Sequence, residues 1–563
     1  MIRSTIPLAR LLLATSLTVS NASAQEEPLV FHGGTTLVDF TIVALDGKGA
    51  AITDLRPDEI AIREKGRSRE LAFFRFEGGE QEESSVQLPA GAFTNRPELS
   101  AGPPRNVTAI LLDSLNTAPE DQVYARAQVM RFMRELAPDT RIALFFLGRN
   151  LQTLHDFTDD PAALRDSAAK ADTGLQMQMH DDIETIAVDA QAFIDAVPED
   201  IREQVTAYQT AVIELAQMAN EQTNERRTRQ TLAALETLGG HLAGIPGRKS
   251  LVWISGGIQM VSITGQMGNG PRGGMKSYED WMQATGQKLA TQGVALYAVD
   301  ARGNHGSSTF GGYEAKRIHT MTRDRGRPGA FEGQMQASAI SSDPLPAMEK
   351  IADITGGRAI FHTNDMARGI TAAASDVKGT YSLGFYAVDD PDGKWRPIDV
   401  KVSRDGVKLR YSQGYIAEAP AKSARPWAEQ DWNAAITSPV SATLLAIDAR
   451  GTLSPRNDAQ EISLTVQFAP QGLHFQAAKD DGRLAFVELA FVDKAANGAF
   501  SMKLQQLQLP YSVEHPDEPF QVHHSWELAP GTDTVRVIVH DQLTGQFGTL
   551  DLPAAQLPRQ TAK

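Results

Sequence analysis

Val107-Thr108-Ala109-Ile110-Leu111-Leu112-Asp113-Ser114-Leu115-Asn116-Thr117 is the stretch on which the fold turns. Its near-continuous apolar run reads as a strand buried on both faces, and the carboxylate that ends it opens a polar loop. A helix-length stretch, Glu120 to Leu136, comes next, then a second buried strand, Ile142 to Leu147. The alternation continues with a helix near Pro161 to Lys170, a strand Leu251 to Ile254, a helix Tyr278 to Thr291 and a strand Val294 to Val299. It closes with a helix Leu345 to Thr355, a strand Arg358 to Phe361 and a helix Ala367 to Val377. This rhythm predicts a doubly wound α/β domain over 106–378, a parallel sheet covered on both faces.

Within it, 181–242 is a helical insertion that such a domain does not need. Its apolar spacing, Val205, Tyr208, Val212, Leu215 and Met218, predicts a helical hairpin. The glycine-rich segments Gln259 to Met275 and Gly303 to Gly312 read as loops.

On either side the period falls to two. Val38, Phe40, Ile42, Ile60, Ile62, Leu71 and Phe73 alternate with polar residues around the Asp46-Gly47, Pro57 and Gly66 turns. Residues 78–105 have a linker's composition, so 25–105 is a β-rich segment and linker. The downstream segment 379–417 has strands at Tyr381–Tyr386, Ile398–Val402 and Val407–Tyr411. Each segment is too short to bury a core alone, so the two are expected to pack together as one all-β, sandwich-like module. Beyond a Pro/Ala stretch, strands near Ala442–Ile447, Ile462–Phe468, Leu484–Val492 and Thr534–His540 predict a C-terminal immunoglobulin-like β-sandwich over 427–563.

The N-terminus carries Arg3 and Arg10, the apolar run Leu11 to Val19, then Ala22-Ser23-Ala24. This predicts a signal peptide over 1–24 and an exported chain, periplasmic or secreted. No later run is long and apolar enough for a transmembrane span of ~20 residues. The 563-residue chain has no cysteine, which excludes disulfides, thiolate metal sites and a lipid anchor at residue 25. Losing Arg3 and Arg10 takes the net charge from −15 to −17, and the short basic clusters lie among acids, so no nucleic-acid partner is expected.

The central region resembles von Willebrand factor A-type domains, more closely the related group common in acidobacterial genomes. The likeness rests on Leu111-Leu112-Asp113-Ser114-Leu115-Asn116-Thr117, on Asp156-Phe157-Thr158-Asp159-Asp160 after the third strand, and on Gly247-Arg248-Lys249-Ser250-Leu251-Val252-Trp253-Ile254-Ser255-Gly256-Gly257 at the fourth. Flanking strings, Asp58-Glu59-Ile60, Glu64-Lys65-Gly66, Gly393-Lys394-Trp395-Arg396 and Gln413-Gly414-Tyr415, extend it over about 35–417. The resemblance implies a Rossmann-like sheet order, a protein-binding or adhesion function, and a metal-ion-dependent adhesion site with a D-x-S-x-S first loop. Asp113 and Thr117 match the ends of that pattern, Leu115 stands where its middle serine belongs, Thr173 is the candidate second-loop threonine, and Ser255 and Gly256 replace the third-loop aspartate.

The metal set is therefore Asp113, Thr117, Thr173 and Ser255, a degenerate site, with Asn116 and Asp300 as ligand-contact candidates. Asp300 sits two strands from Asp113, ~10 Å away, too far to share an ion directly. Mg²⁺ wants six hard oxygen ligands, so binding of it or of another divalent cation is expected to be weak or absent. Asp113 has a second reading, as a carboxylate capping the helix near Pro119 or bonding loop amides.

Catalytic patterns are missing. There is no G-x-S-x-G elbow and no H-E-x-x-H, and His523-His524 falls in a strand, where neighbours face opposite ways. Gly247-Arg248-Lys249-Ser250 precedes a strand and lacks the phosphate loop's spacing. The reading is an exported, non-enzymatic binding protein with a protein partner; a structural or assembly subunit of an envelope complex is the alternative, and a secreted hydrolase the third.

Overall fold

The computed structural model describes residues 36–77, 88–96, 107–134, 141–158, 160–174, 202–245, 247–264, 274–303, 344–363, 365–376, 379–387, 392–417, 419, 421, 423–456, 459–478 and 482–559. The predicted signal peptide, the first arm of the predicted helical hairpin and most of the Gly303–Gly312 loop lie outside them. The chain is mixed α/β, with one largely parallel sheet among several antiparallel ones.

The N-terminal segment supplies β1 (Thr36–Leu45), β2 (Ile60–Glu64), β3 (Arg67–Arg69), β4 (Phe73–Phe76) and β5 (Ala92–Thr94). The middle holds β6 (Val107–Asp113), α1 (Pro119–Arg134), β7 (Ile142–Leu147), β8 (Leu151–Thr158), α2 (Pro161–Gly174), α3 (Arg202–Ala243) and β9 (Lys249–Ser255). It continues with β10 (Val261–Thr264), β11 (Gly274–Ser277), α4 (Glu279–Thr291), β12 (Val294–Asp300), α5 (Leu345–Thr355), β13 (Arg358–Ile360) and α6 (Met366–Asp376). Then come β14 (Thr380–Ala387), β15 (Trp395–Val402), β16 (Lys408–Tyr411), β17 (Gly414–Ile416), α7 (Glu429–Thr437), β18 (Ile447–Arg456) and β19 (Ala459–Phe468). The chain ends with β20 (Gln476–Ala477), β21 (Arg483–Ala495), β22 (Phe500–Pro510), β23 (Phe520–Glu527), β24 (Thr532–Asp541) and β25 (Phe547–Pro553).

The parallel sheet runs β13-β12-β9-β6-β7-β8. Every residue of β6, β7, β9 and β12 is buried, as a strand covered on both faces requires. Alternate residues go to opposite cores. Leu111, Phe145, Trp253 and Leu296 pack under Leu235 and Leu238 of α3, Met282 of α4 and Ile351 of α5. Ile110, Leu144, Ile254 and Val299 pack against Val129 of α1, Leu164 of α2 and Ile370 of α6. The chain starts in the middle at β6, winds outward through β7 and β8, and returns beside β6 at β9. That reversal is a topological switch point, the place where open α/β sheets form a ligand-binding crevice, here at the carboxyl ends of β6 and β9.

The sheet differs from the expectation at one edge. β8 is antiparallel to β7, joined by the Gly148-Arg149-Asn150 turn, and Asp156-Phe157-Thr158 lies inside it instead of following it. The insertion's described part is one 42-residue helix, α3.

β1 pairs with β14 and β16, and β2 pairs with β15, giving sheets β16-β1-β14-β4 and β17-β15-β2-β3. Phe40 and Ile42 of the first share a core with Ile62, Ile398 and Val400 of the second. Buried Glu64 is held between Arg69 at 2.6 Å, Tyr415 at 2.5 Å and Arg396 at 3.6 Å, as a buried carboxylate requires.

The C-terminal strands form a β-sandwich. One sheet is β23-β19-β18-β5; in the other β21 lies between β22 and β24, and β25 follows β24. Ile462, Leu464 and Trp526 meet Val487, Leu489, Val537 and Leu550 between them. Residues 88–96, expected to be linker, contribute β5 beside β18. Asn95 fixes it: its amide donates to the carbonyls of Ala442 and Leu445, both at 2.9 Å, and accepts from Ile447 N at 2.7 Å. The strand expected near Ala442–Ile447 starts instead at Ile447.

Candidate functional site

Asp113 ends β6 at the crevice and is 2% exposed. Its carboxylate is ringed by donors. Asn116 N donates to Oδ1 at 3.1 Å; Asn116 Nδ2 at 2.8 Å, Ser255 Oγ at 2.8 Å and Trp253 Nε1 at 3.0 Å all donate to Oδ2. Burial pushes this carboxyl above the usual range, while the bonds from Asn116, Ser255 and Trp253 pull it back.

The neighbours are equally committed. The Thr117 hydroxyl donates to the Asp113 carbonyl and accepts from Gly256 N at 3.0 Å. Ser255 Oγ accepts from Gly257 N at 2.8 Å. Gln122 Nε2, from the first turns of α1, donates to the carbonyls of Ser114 at 3.2 Å and Thr117 at 2.7 Å. The Asn116 amide also reaches Thr231 Oγ1 at 2.7 Å, tying the loop to α3, and Gln230 on the same helix bonds the carbonyls of Gly148 and Arg149.

These residues do not fit a divalent ion. The hydroxyls of Thr117 and Ser255 are spent on protein partners, and Leu115 packs toward the core. A Cβ on Gly256 would meet Asn116 O at 2.4 Å, so no side chain fits where a third-loop carboxylate belongs. Asp300, at the end of β12, is turned to Arg302, with Nε–Oδ1 at 2.9 Å and Nη2–Oδ2 at 3.0 Å. Thr173 lies in the last turn of α2, a helical position and not a loop; its side chain is outside the described residues. Among the described residues no group of three His, Asp or Glu side chains could hold a metal.

The structure thus brings Asp113, Asn116, Thr117 and Ser255 together; Asp300 lies beside Ser255 on the next strand, but its carboxylate is committed to Arg302. Sequence reasoning missed Trp253 and Thr231. Trp253 had a signal, since it stands two residues before Ser255 on the same face of one strand; Thr231 is 115 residues from Asn116 and had none.

At the opposite, amino end of the sheet the Gly247-Arg248-Lys249-Ser250 string is structural. Arg248 is buried, donating to Tyr297 Oη at 2.9 Å and Gly356 O at 3.1 Å. Tyr297 Oη donates to Asp376 at 2.6 Å, and burial raises its phenol to about 12. Lys249 Nζ donates to Ile245 O at 3.0 Å, a cation at the end of α3 that suits the helix dipole; burial lowers its ammonium to about 8. It lines a cavity of about 1180 Å³ between the three modules.

No family model and no curated protein matches the chain. Solved structures similar to it include an aerotolerance-related membrane protein from Bacteroides fragilis, 11% identical over 48% of this chain and 98% of that one, TM-score 0.23. BatB from Bacteroides thetaiotaomicron is 10% identical over 48% and 97%, TM-score 0.21. The pilus adhesin SpaC from Lactobacillus rhamnosus GG is 8% identical over 87% and 59%, TM-score 0.23. At such TM-scores these likenesses decide nothing about fold or function. No helix among the described residues is long and apolar enough to cross a membrane.

Proposed function

We propose that this chain is an exported binding protein of the cell envelope that recognises a protein partner through the loops at the carboxyl ends of β6, β7 and β9, without a bound metal and without catalysis. In this reading the central domain is of the von Willebrand A type, which the sheet order β13-β12-β9-β6-β7-β8 and the helices packed on both of its faces support. On the same reading the C-terminal sandwich is immunoglobulin-like, which its two facing antiparallel sheets, β18-β19-β23 and β22-β21-β24-β25, support. The observation that carries the reading is Asp113 with four donors upon it, which makes the crevice a rigid hydrogen-bonded platform. Ser255 is no nucleophile in this reading, because its partners are a carboxylate and a backbone N–H, with no histidine to take its proton.

The test is capture of the partner from envelope extract on the immobilised mature chain, in excess chelator, with Arg149→Glu as comparison. Arg149 is exposed on the β7–β8 turn beside the platform. The partner should be retained in chelator and lost with the variant, whose melting temperature stays unchanged. Capture that needs a divalent ion, or that ignores the charge reversal, contradicts the proposal.

A further inference from the structure

We propose that β22 is a self-association edge, pairing antiparallel with β22 of a second copy of this chain about a two-fold axis at Met502. β22 pairs with β21 along its whole length, from Phe500↔Lys494 to Pro510↔Leu484, and among the described residues no strand pairs with its other edge. Long edges are normally blunted by charge, proline or a bulge. Here the single charged residue, Lys503, is turned into the sandwich, its ammonium 2.9 Å from Asp493 and 5.4 Å from the Trp526 ring centre, and the single proline is the last residue.

The pattern of the strand's first half is inverted. Ser501 bonds Asp493 of β21 at 3.2 Å, itself bonded by Trp526 of the facing sheet, and Gln505 bonds His524 of that facing sheet at 3.2 Å, so the polar residues lie on the inner face. Phe500, Met502 and Leu504 face outward, 42%, 38% and 41% exposed. A one-residue slip would exchange the two faces, yet the ladder with β21 holds the apolar row outside. Three such side chains at alternate positions make a strip ~13 Å long.

The strip complements itself. Pairing centred on Met502 sets Phe500 opposite the partner's Leu504, Met502 opposite the partner's Met502, and Ser501 opposite the partner's Lys503. Two apolar rows then fuse into one, and no like charges oppose; centring on Lys503 would set ammonium against ammonium. The contact is isologous and closes at two copies. Its small area puts it among weak, reversible interfaces, below ~1,200 Å². A foreign peptide adding to the edge would need pockets for its alternate side chains, and the chain's large cavity does not reach β22.

The chain has no cysteine, so Met502→Cys introduces its only thiol. Mild oxidation of the whole chain should give a disulfide-linked dimer through Met502→Cys at least ~10-fold faster than through Leu504→Cys, because only the axial position faces itself within disulfide reach. Sedimentation velocity from about 1 to 200 µM should show a reversible monomer–dimer equilibrium, weakened at least ~10-fold by Met502→Lys and restored on mixing Met502→Lys with Met502→Glu. Unchanged far-UV circular dichroism melts establish that the variants fold. A chain monomeric throughout, or one that links equally fast at 504 and 502, overturns the proposal and leaves the strip to a different protein.

Discussion

The loop cluster around Asp113 and the edge strand β22 solve opposite problems. At Asp113 a buried charge at a crevice, where an ion or ligand would be expected, has its hydrogen-bonding capacity consumed by Trp253, Ser255 and Asn116. At β22 apolar groups that a sandwich would ordinarily hide are held in solvent, while polar ones are tied inward to Asp493 and His524. The first region is closed by its own chemistry and the second is left open by it. Changes at the first should therefore disturb the fold, and changes at the second should disturb only association.

The sharpest break in this comparison is Asp113→Ala. It strands two buried donors, Trp253 Nε1 and Ser255 Oγ, and two part-buried ones from Asn116. Since each unsatisfied buried group costs about 1–3 kcal/mol and such costs are not additive, a loss of about 4 kcal/mol in denaturant unfolding is expected. A loss under about 1 kcal/mol would mean the donors find water.

Lys249 should give the next largest effect, through pH. Its folded value of about 8 lies below the 10.5 of the unfolded chain, so the folded state holds fewer protons between the two and this residue's contribution rises as pH climbs through that window. Relative to Lys249→Met, the native chain should gain up to about 3 kcal/mol between pH 7 and 10.5; parallel stability curves would show an ammonium in contact with solvent.

Gly256→Ala comes third. The new methyl would press on the Asn116 carbonyl, a backbone atom that cannot rotate away. Overpacking of this kind costs about 2 kcal/mol in chemical denaturation, and a neutral outcome would show a loop free to shift. Smallest is Met502→Lys, whose monomer should unfold within about 0.5 kcal/mol of the native chain. A large loss there would mean that the row is part of a core.

The central strands were legible because β6, β7, β9 and β12 are buried on both faces and read as continuous apolar runs. β8 was not, because an edge hairpin strand of mixed pattern, Leu151 to Thr158, carries no mark of its direction. β5 has three residues, too few for a period, and its hold on the sandwich comes from Asn95 bonding residues some 350 positions away. At the crevice, Asp113, Asn116, Thr117 and Ser255 were readable as types at spacings, and the losses at Leu115 and Gly256 were visible. What could not be read was where the hydroxyls and amides point, since that depends on α3 returning through Thr231.

The most direct test of the account is a thermal melt of the whole chain in excess chelator and then in millimolar Mg²⁺, Mn²⁺ or Ca²⁺, run beside Asp113→Ala. A ligand that binds only the folded state must raise its melting temperature by mass action. The closed hydrogen-bonded cluster predicts superimposable curves for the native chain under all conditions. A rise with any of these ions that Asp113→Ala abolishes would contradict it, and would make the carboxylate a metal ligand.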